Sequence, residues 1–302
     1  MSSVVNWFTK IPSWAALSLV MNGLLFGTLL AVGQEGASNA SDPTLASASD
    51  RVLASRSEPL EQWRPGLDTG AGTAIANATI TDKVFDLPMP EGDRKLTYSD
   101  HVKYLGDRAV AMAAKHPEHL TVLLGDSLSL WFPGELMPGQ RVWINQSISG
   151  ERTQGLLKRL DLIEKNDIES IFLMIGINDL IWDKTDKEII DNYQKIVRRL
   201  KTEHPGTQIV VQSILPHGGE NSTWESRDKL LALPSDRIVT MNEALKKIAK
   251  DNGAYYLDLY PIFVTGEGRL RPDLTTDGLH LNREGYLVWR SAIALYAQLE
   301  LQ

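Results

Sequence analysis

LTVLLGDSL, residues 120–128, sets five apolar or β-branched residues directly before Gly125-Asp126-Ser127. A run without polar alternation reads as a strand buried on both faces, the state of strands in a parallel sheet covered by helices on each side. On its amino side Thr97-x-x-Asp100 forms a capping box, and Tyr98, Val102, Leu105 and Ala109 keep helical spacing as far as His116-Pro117. On its carboxyl side four more short β-rich runs follow, at 142–148, 170–175 (SIFLMI), 208–214 (QIVVQSI) and 254–259 (AYYLDL). Helical stretches separate most of them, at 153–164, at 186–203 opened by the box Thr185-x-x-Glu188, and at 235–251 closed by Asn252-Gly253. A last helix runs over 283–299. Only the connection 129–141 lacks room for a full helix, because Pro133 and Pro138 restrict it to a turn or two. Alternating strands and helices predict an α/β, doubly wound parallel sheet in a single domain over 96–302.

The first 95 residues read differently. Lys10 precedes 14–32, a stretch with no charged residue that is long enough at about 1.5 Å per residue to span a bilayer core. Residues 1–32 are expected to be an N-terminal transmembrane anchor or signal segment, with Ala31-Val32-Gly33 as a small-x-small cleavage site. The lone cation on the short side, with Glu35 and Asp42 beyond, puts the rest of the chain outside the cytoplasm, membrane-anchored or secreted. Residues 33–95 are rich in Ser, Ala, Gly and Asp and are interrupted by Pro43, Pro59, Pro65, Pro88 and Pro90, which reads as a flexible linker. Gly70-Ala71-Gly72 within it lacks the preceding strand and third glycine of a dinucleotide fingerprint.

Composition removes several function classes. With 31 basic against 38 acidic residues, a net charge of -7 and no basic stripe, no nucleic acid partner is expected. The absence of cysteine excludes disulfides, thiolate nucleophiles and Cys-ligated zinc or iron-sulfur clusters. His116-Pro117-Glu118-His119 looks like a metal tract, but the proline breaks the helix that such a site needs, so a loop is expected there. The G-x-S-x-G elbow and the P-loop are both missing from the sequence.

Ligands of an open parallel sheet bind outside the carboxyl ends of its strands, so the residues just past each run are the candidates. They are Ser127 after the first, Gly150 after the second, Asn178 after the third, and Asp277 and His280 beyond the fifth. Together they supply what acyl transfer requires. A serine hydroxyl needs an imidazole to take its proton, and a carboxylate three residues before that imidazole can fix its tautomer. The oxyanion needs donors, for which the Ser127 and Gly150 backbone N–H groups and the Asn178 amide are available. Trp131, Phe132, Trp143, Trp182 and Trp224 are aromatic candidates for a substrate groove, Trp131 foremost.

Four blocks carry a resemblance: GDSL at 125–128, NQSISG at 145–150, GIND at 176–179 and DGLH at 277–280, all in order. From about Thr121 onward the chain resembles the SGNH or GDSL family of serine hydrolases (GDSL-like lipases and acylhydrolases). The resemblance implies Ser127 as nucleophile, Asp277 and His280 as its triad partners, and Ser127, Gly150 and Asn178 as the oxyanion hole. It also implies a flavodoxin-like three-layer α/β/α fold with five parallel strands in the order 2-1-3-4-5, no cofactor and no metal. Ser147 stands where many members have glycine, and the segment after Ser127 is short and proline-containing.

The function expected is an exported serine esterase acting on short-chain, acetyl-type O-acyl esters of a polysaccharide or small alcohol. Its alternatives are an O-acyltransferase on a polysaccharide acceptor, a lipase or lysophospholipase-type acylhydrolase, and a non-enzymatic binding module that kept the fold. The loops 131–140, 217–234 and 264–276 are expected to wall the crevice. Trp131 and Trp224 with Asn221, Glu225, Arg227, Arg269 and Arg271 suggest an open polar groove, while Trp131-Phe132 and Leu136-Met137 offer an apolar shelf for a longer acyl chain.

Overall fold

The computed structural model describes residues 96–301. In chain order the elements are α1 (Tyr98–Ala113), β1 (Leu120–Gly125), α2 (Ser127–Leu130), β2 (Val142–Asn145), α3 (Thr153–Lys158), β3 (Ser170–Met174) and α4 (Ile177–Ile181). They continue with α5 (Asp186–Glu203), β4 (Gln208–Gln212), α6 (Arg227–Ala232), α7 (Ser235–Asp251), β5 (Tyr255–Leu257), α8 (Tyr260–Phe263) and α9 (Arg283–Glu300). The strands form one parallel sheet in the order β2-β1-β3-β4-β5, as expected. Val122 lies opposite Ile144 on one side and Ile171 on the other. Every residue of β1 and β3 is buried, odd and even positions alike, so both faces of the sheet are covered.

The two capping boxes form as read: Thr97 with Asp100 opens α1 and Thr185 with Glu188 opens α5. Three runs end earlier than their composition suggests, and each has a side chain that stops it. In β2 the Asn145 carboxamide accepts the Ser147 N–H (3.1 Å) and donates to the Ser129 carbonyl (2.7 Å), which turns the chain away from the sheet. Beyond β5, Ser213 Oγ accepts the N–H groups of Leu259 and Tyr260, starting α8 in place of more strand. The expected helix over 153–164 breaks at Arg159 (φ -118°, ψ 14°), whose guanidinium turns to the Glu151 carboxylate, and continues as the 3-10 turn Leu160–Ile163. The helix α6, inside the stretch read as a loop at 217–234, is an addition.

Helices α3, α5 and α7 pack on one another in series. Helix α9 meets the sheet through Trp289, fully buried, whose Nε1 donates to Gln212 Oε1 in β4 (2.7 Å). The segment 14–32 expected to enter a membrane and the linker 33–95 lie outside the described residues, and no helix within the described residues is long and apolar enough to cross a bilayer.

Candidate active site

The turn from β1 into α2 sets the first group. A Cβ on Gly125 would sit 2.3 Å from both the Met174 carbonyl oxygen and Ser129 Oγ, so only glycine lets this turn pass that close to β3. Asp126 caps α2 by accepting the Leu128 N–H at 3.1 Å. Ser127 is therefore the first residue of a helix, where a backbone N–H has no acceptor within its own helix, and its own makes no other bond among the described residues. Asp126 itself is fully buried and one of its oxygens has no partner among the described residues. Burial, opposed by the Leu128 N–H and reinforced by the nearby Asp179 and Glu151 carboxylates, pushes its carboxyl up to about 7.

Ser127 Oγ lies 3.2 Å from His280 Nε2, and His280 Nδ1 lies 2.8 Å from Asp277 Oδ2. The carboxylate can only accept, so Nδ1 carries the hydrogen and Nε2 is left to receive one from the serine. Asp277 Oδ1 is held in turn by the N–H groups of Leu279 (2.9 Å) and His280 (2.8 Å). Burial opposes the charge on Asp277, but the His280 ring and these two N–H groups outweigh it and hold the carboxyl below the ordinary carboxylate range. The indole of Trp131 packs against the imidazole, ring centroids 4.2 Å apart.

Two further groups face the same rim. Gly150 takes a left-handed conformation (φ 72°) in the turn after β2 and is exposed, and its N–H makes no bond among the described residues. Asn178, in the first turn of α4, gives one amide hydrogen to the Glu151 carbonyl (3.2 Å) and keeps the other. That bond ties the second and third strand ends together. So does Asp179, whose two oxygens accept the Thr153 N–H (2.9 Å) and hydroxyl (2.6 Å). Glu151 is anchored below by Arg159 and by the Tyr98 hydroxyl (2.8 Å), with Glu151 and Arg159 both almost fully buried.

Of the five residues singled out by the sequence, Ser127, Gly150 and Asn178 follow β1, β2 and β3, Asp277 and His280 lie well beyond β5, and a hydrogen-bonded chain joins Ser127, His280 and Asp277. One wall expectation is corrected. Phe132, Leu136 and Met137 are core residues, Phe132 packed against Tyr286 and Trp289, so they form no shelf open to an acyl chain. The loop 217–226 clasps the turn that carries Asp277: the N–H groups of Thr223 and Trp224 donate to the Asp277 carbonyl (2.8 and 3.0 Å), and the Gly218 N–H to that of Gly278 (2.7 Å). Arg227 and Arg269 are bonded or paired to Glu220, and Arg271 to Asp273. Sequence reading also missed Asp126 as a buried acid, although an Asp directly before a short apolar helix is the N-cap signature. No local signal marks the clasp, whose partners lie 53 to 60 residues apart.

The loop 116–119 has His116 and His119 at positive φ, with His119 Nδ1 paired to Glu169. Among the described residues no group of three or more His, Asp or Glu side chains is placed to hold a metal ion.

A serine, an imidazole and a carboxylate in one hydrogen-bonded chain beside a parallel α/β sheet have the arrangement that acyl-transfer hydrolases use. The chain belongs to the GDSL-like Lipase/Acylhydrolase family, whose model matches residues 107–288. It is similar to the platelet-activating factor acetylhydrolase IB subunit alpha1 of Bos taurus, 26% identical over 182 residues that cover 57% of this chain and 71% of that protein. It also resembles, at 24% identity over 212 residues, the N-acylneuraminate cytidylyltransferase of Streptococcus agalactiae, covering 70% of this chain and 45% of the other. In fold it matches a GDSL-like lipase from Bacteroides thetaiotaomicron with a TM-score of 0.54 and 20% identity, over 64% of this chain and 97% of that one.

Proposed function

We propose that this ester hydrolase removes short acyl groups, acetyl above all, from hydroxyls of a polysaccharide or small alcohol, with Ser127 as nucleophile. The observation that carries the reading is the hydrogen-bonded chain from Ser127 Oγ to His280 and Asp277 at 3.2 and 2.8 Å. His280 Nε2 takes the hydroxyl proton as Oγ attacks the ester carbonyl, and the Asp277 carboxylate steadies the imidazolium that results. The oxyanion is met by the N–H groups of Ser127 and Gly150 and the free amide hydrogen of Asn178. The imidazolium then gives its proton to the departing alcohol, and water repeats the sequence to release the acid and free Ser127.

Short acyl groups are favoured because Phe132, Leu136 and Met137 are withdrawn into the core, leaving Trp131 as the apolar side chain against His280. Without an apolar wall, the roughly 0.8 kcal/mol per CH₂ that a fatty chain could gain is not available. The acetylhydrolase named among the relatives supports the same choice. The uncharged stretch 14–32 adds export, with the catalytic domain outside the cytoplasm, tethered or released.

A fluorophosphonate should label the wild type and leave Ser127→Ala unlabelled, read by intact mass. Against p-nitrophenyl esters kcat/KM should fall from acetyl to octanoyl. Equal labelling of Ser127→Ala, or a rise beyond butyryl, would overturn the reading.

A further inference from the structure

Trp182 is a large aromatic side chain left 44% exposed, and it stands beside the proposed oxyanion donors. It closes α4 four residues after Asn178, its N–H bonded to the Asn178 carbonyl at 3.2 Å. Residues four apart lie on the same helix face, so Trp182 stands one turn along the chain from Asn178. Two cations lie over this ring: the Arg152 guanidinium, 5.8 Å from the ring centroid, and the Lys229 ammonium, 5.5 Å from it. Arg152 follows Gly150 by two residues, and Lys229 arrives on α6, which packs against α4.

Neither cation has a carboxylate within ion-pair distance among the described residues, although the buried Asp179 feels the Arg152 charge. Arg141, Arg159, Arg199, Arg237, Arg271 and Arg283, by contrast, are each paired with a carboxylate. Two like charges converge on one electron-rich ring, whose quadrupole offsets part of their repulsion. The two cations meet on this ring in a chain whose net charge is -7.

From this geometry we infer that Trp182, Arg152 and Lys229 form a subsite for an oxyanion, carboxylate or phosphate, on the alcohol part of the ester. The inference rests on the proposed roles of Gly150 and Asn178 and adds a substrate class to them: acylated acidic sugars or sugar phosphates. A planar guanidinium accepts either oxyanion bidentately, the ammonium supplies a second point charge, and the indole edge offers an apolar surface to the sugar ring. Being partly solvent-facing, the subsite should weaken as salt rises.

The test uses the full chain and non-ester probes: methyl glucuronoside, methyl glucoside 6-phosphate and neutral methyl glucoside, titrated by calorimetry. At low salt the wild type is expected to bind at least one anionic probe about fivefold more tightly than the neutral one, the size expected of solvent-facing charge contacts. The preference should vanish in Arg152→Gln/Lys229→Gln and shrink in Trp182→Ala. The two anionic arms tell a carboxylate site from a phosphate site. Equal affinity for all three, no saturable binding of any, or a preference that survives in the double variant overturns the proposal. Should Trp182→Ala fail to fold, the double variant alone decides. The mono-O-acetyl derivatives of the same probes give a second readout, since the ratio of anionic to neutral kcat/KM should fall about fivefold in the double variant. Binding preference without hydrolysis of any acetylated probe would sink the esterase reading while leaving the subsite. Hydrolysis without preference would do the reverse.

Discussion

Asp126 and Ser127 are adjacent in sequence and opposite in what their surroundings demand of them. Ser127 faces an imidazole, whereas Asp126 points into the core with one oxygen unpartnered. With its carboxyl pushed up to about 7, Asp126 keeps its proton in the folded state after the unfolded chain has lost it near the ordinary value of about 3.9. The unfolded state then binds fewer protons than the native one, so stability falls as pH rises. The contribution of the neutral acid is complete below about pH 4, is lost progressively up to about 7 and is flat beyond, with an upper size of about 4 kcal/mol from a three-unit shift. Urea unfolding at pH 5 and pH 8 should show wild-type stability declining over that interval and Asp126→Asn lacking most of the decline. Identical pH dependence in both proteins would show that Asp126 does not titrate there. Asn178 makes a different prediction. Replacing it by alanine should lower kcat by about 10² or more, the usual loss of one oxyanion donor, and cost about 1 kcal/mol of stability through the bond to the Glu151 carbonyl. A turnover within threefold of wild type would remove it from the site.

At the scale of elements, the Asp277–His280 turn is held by its own bonds and by the clasp from 217–226. Gly278 adopts φ 87°, and a Cβ there would approach Ser222 Oγ to 2.3 Å and Ser222 Cα to 2.7 Å. Gly278→Ala must push the two loops apart. Since a displacement of about 1 Å can cost 10² in rate, kcat should drop by about that factor while fluorophosphonate labelling slows in parallel. Full activity would show that the clasp does not set the position of His280. The contrast between this turn and the strands explains what could be read in advance. The five strands, the two capping boxes and the order of the site residues rest on local pattern, in which burial on both faces leaves a continuous apolar run and a cap leaves a polar residue at fixed spacing. The clasp and the withdrawal of Phe132 and Met137 into the core depend on which distant segment arrives next to which. Their residues look locally like any polar loop or apolar turn. The early ends of β2 and β5 belong between these cases, because Asn145 and Ser213 are common strand-stopping side chains whose partners lie elsewhere in the chain.

For the whole molecule, the export proposed above rests on the sequence up to residue 95. If 1–32 inserts with Lys10 inside, protease added to intact cells should cut within 33–95 and release a domain of about the length 96–302. Digestion only after lysis would reverse the orientation. The separation of Ser127 from His280 by 153 residues has a further effect on when the chain becomes chemically competent. Ser127 is made early, but His280 follows all five strands, and β1, second in the sheet order, pairs with β2 and β3, which both come later in synthesis. Closing so long a loop is entropically slow, and parallel pairing must wait for it. On the proposed reading a nascent chain that has made Ser127 but not yet His280 presents an inert serine, so the order of the chain acts as a timer that holds back hydrolysis until the last-made part of the site has folded.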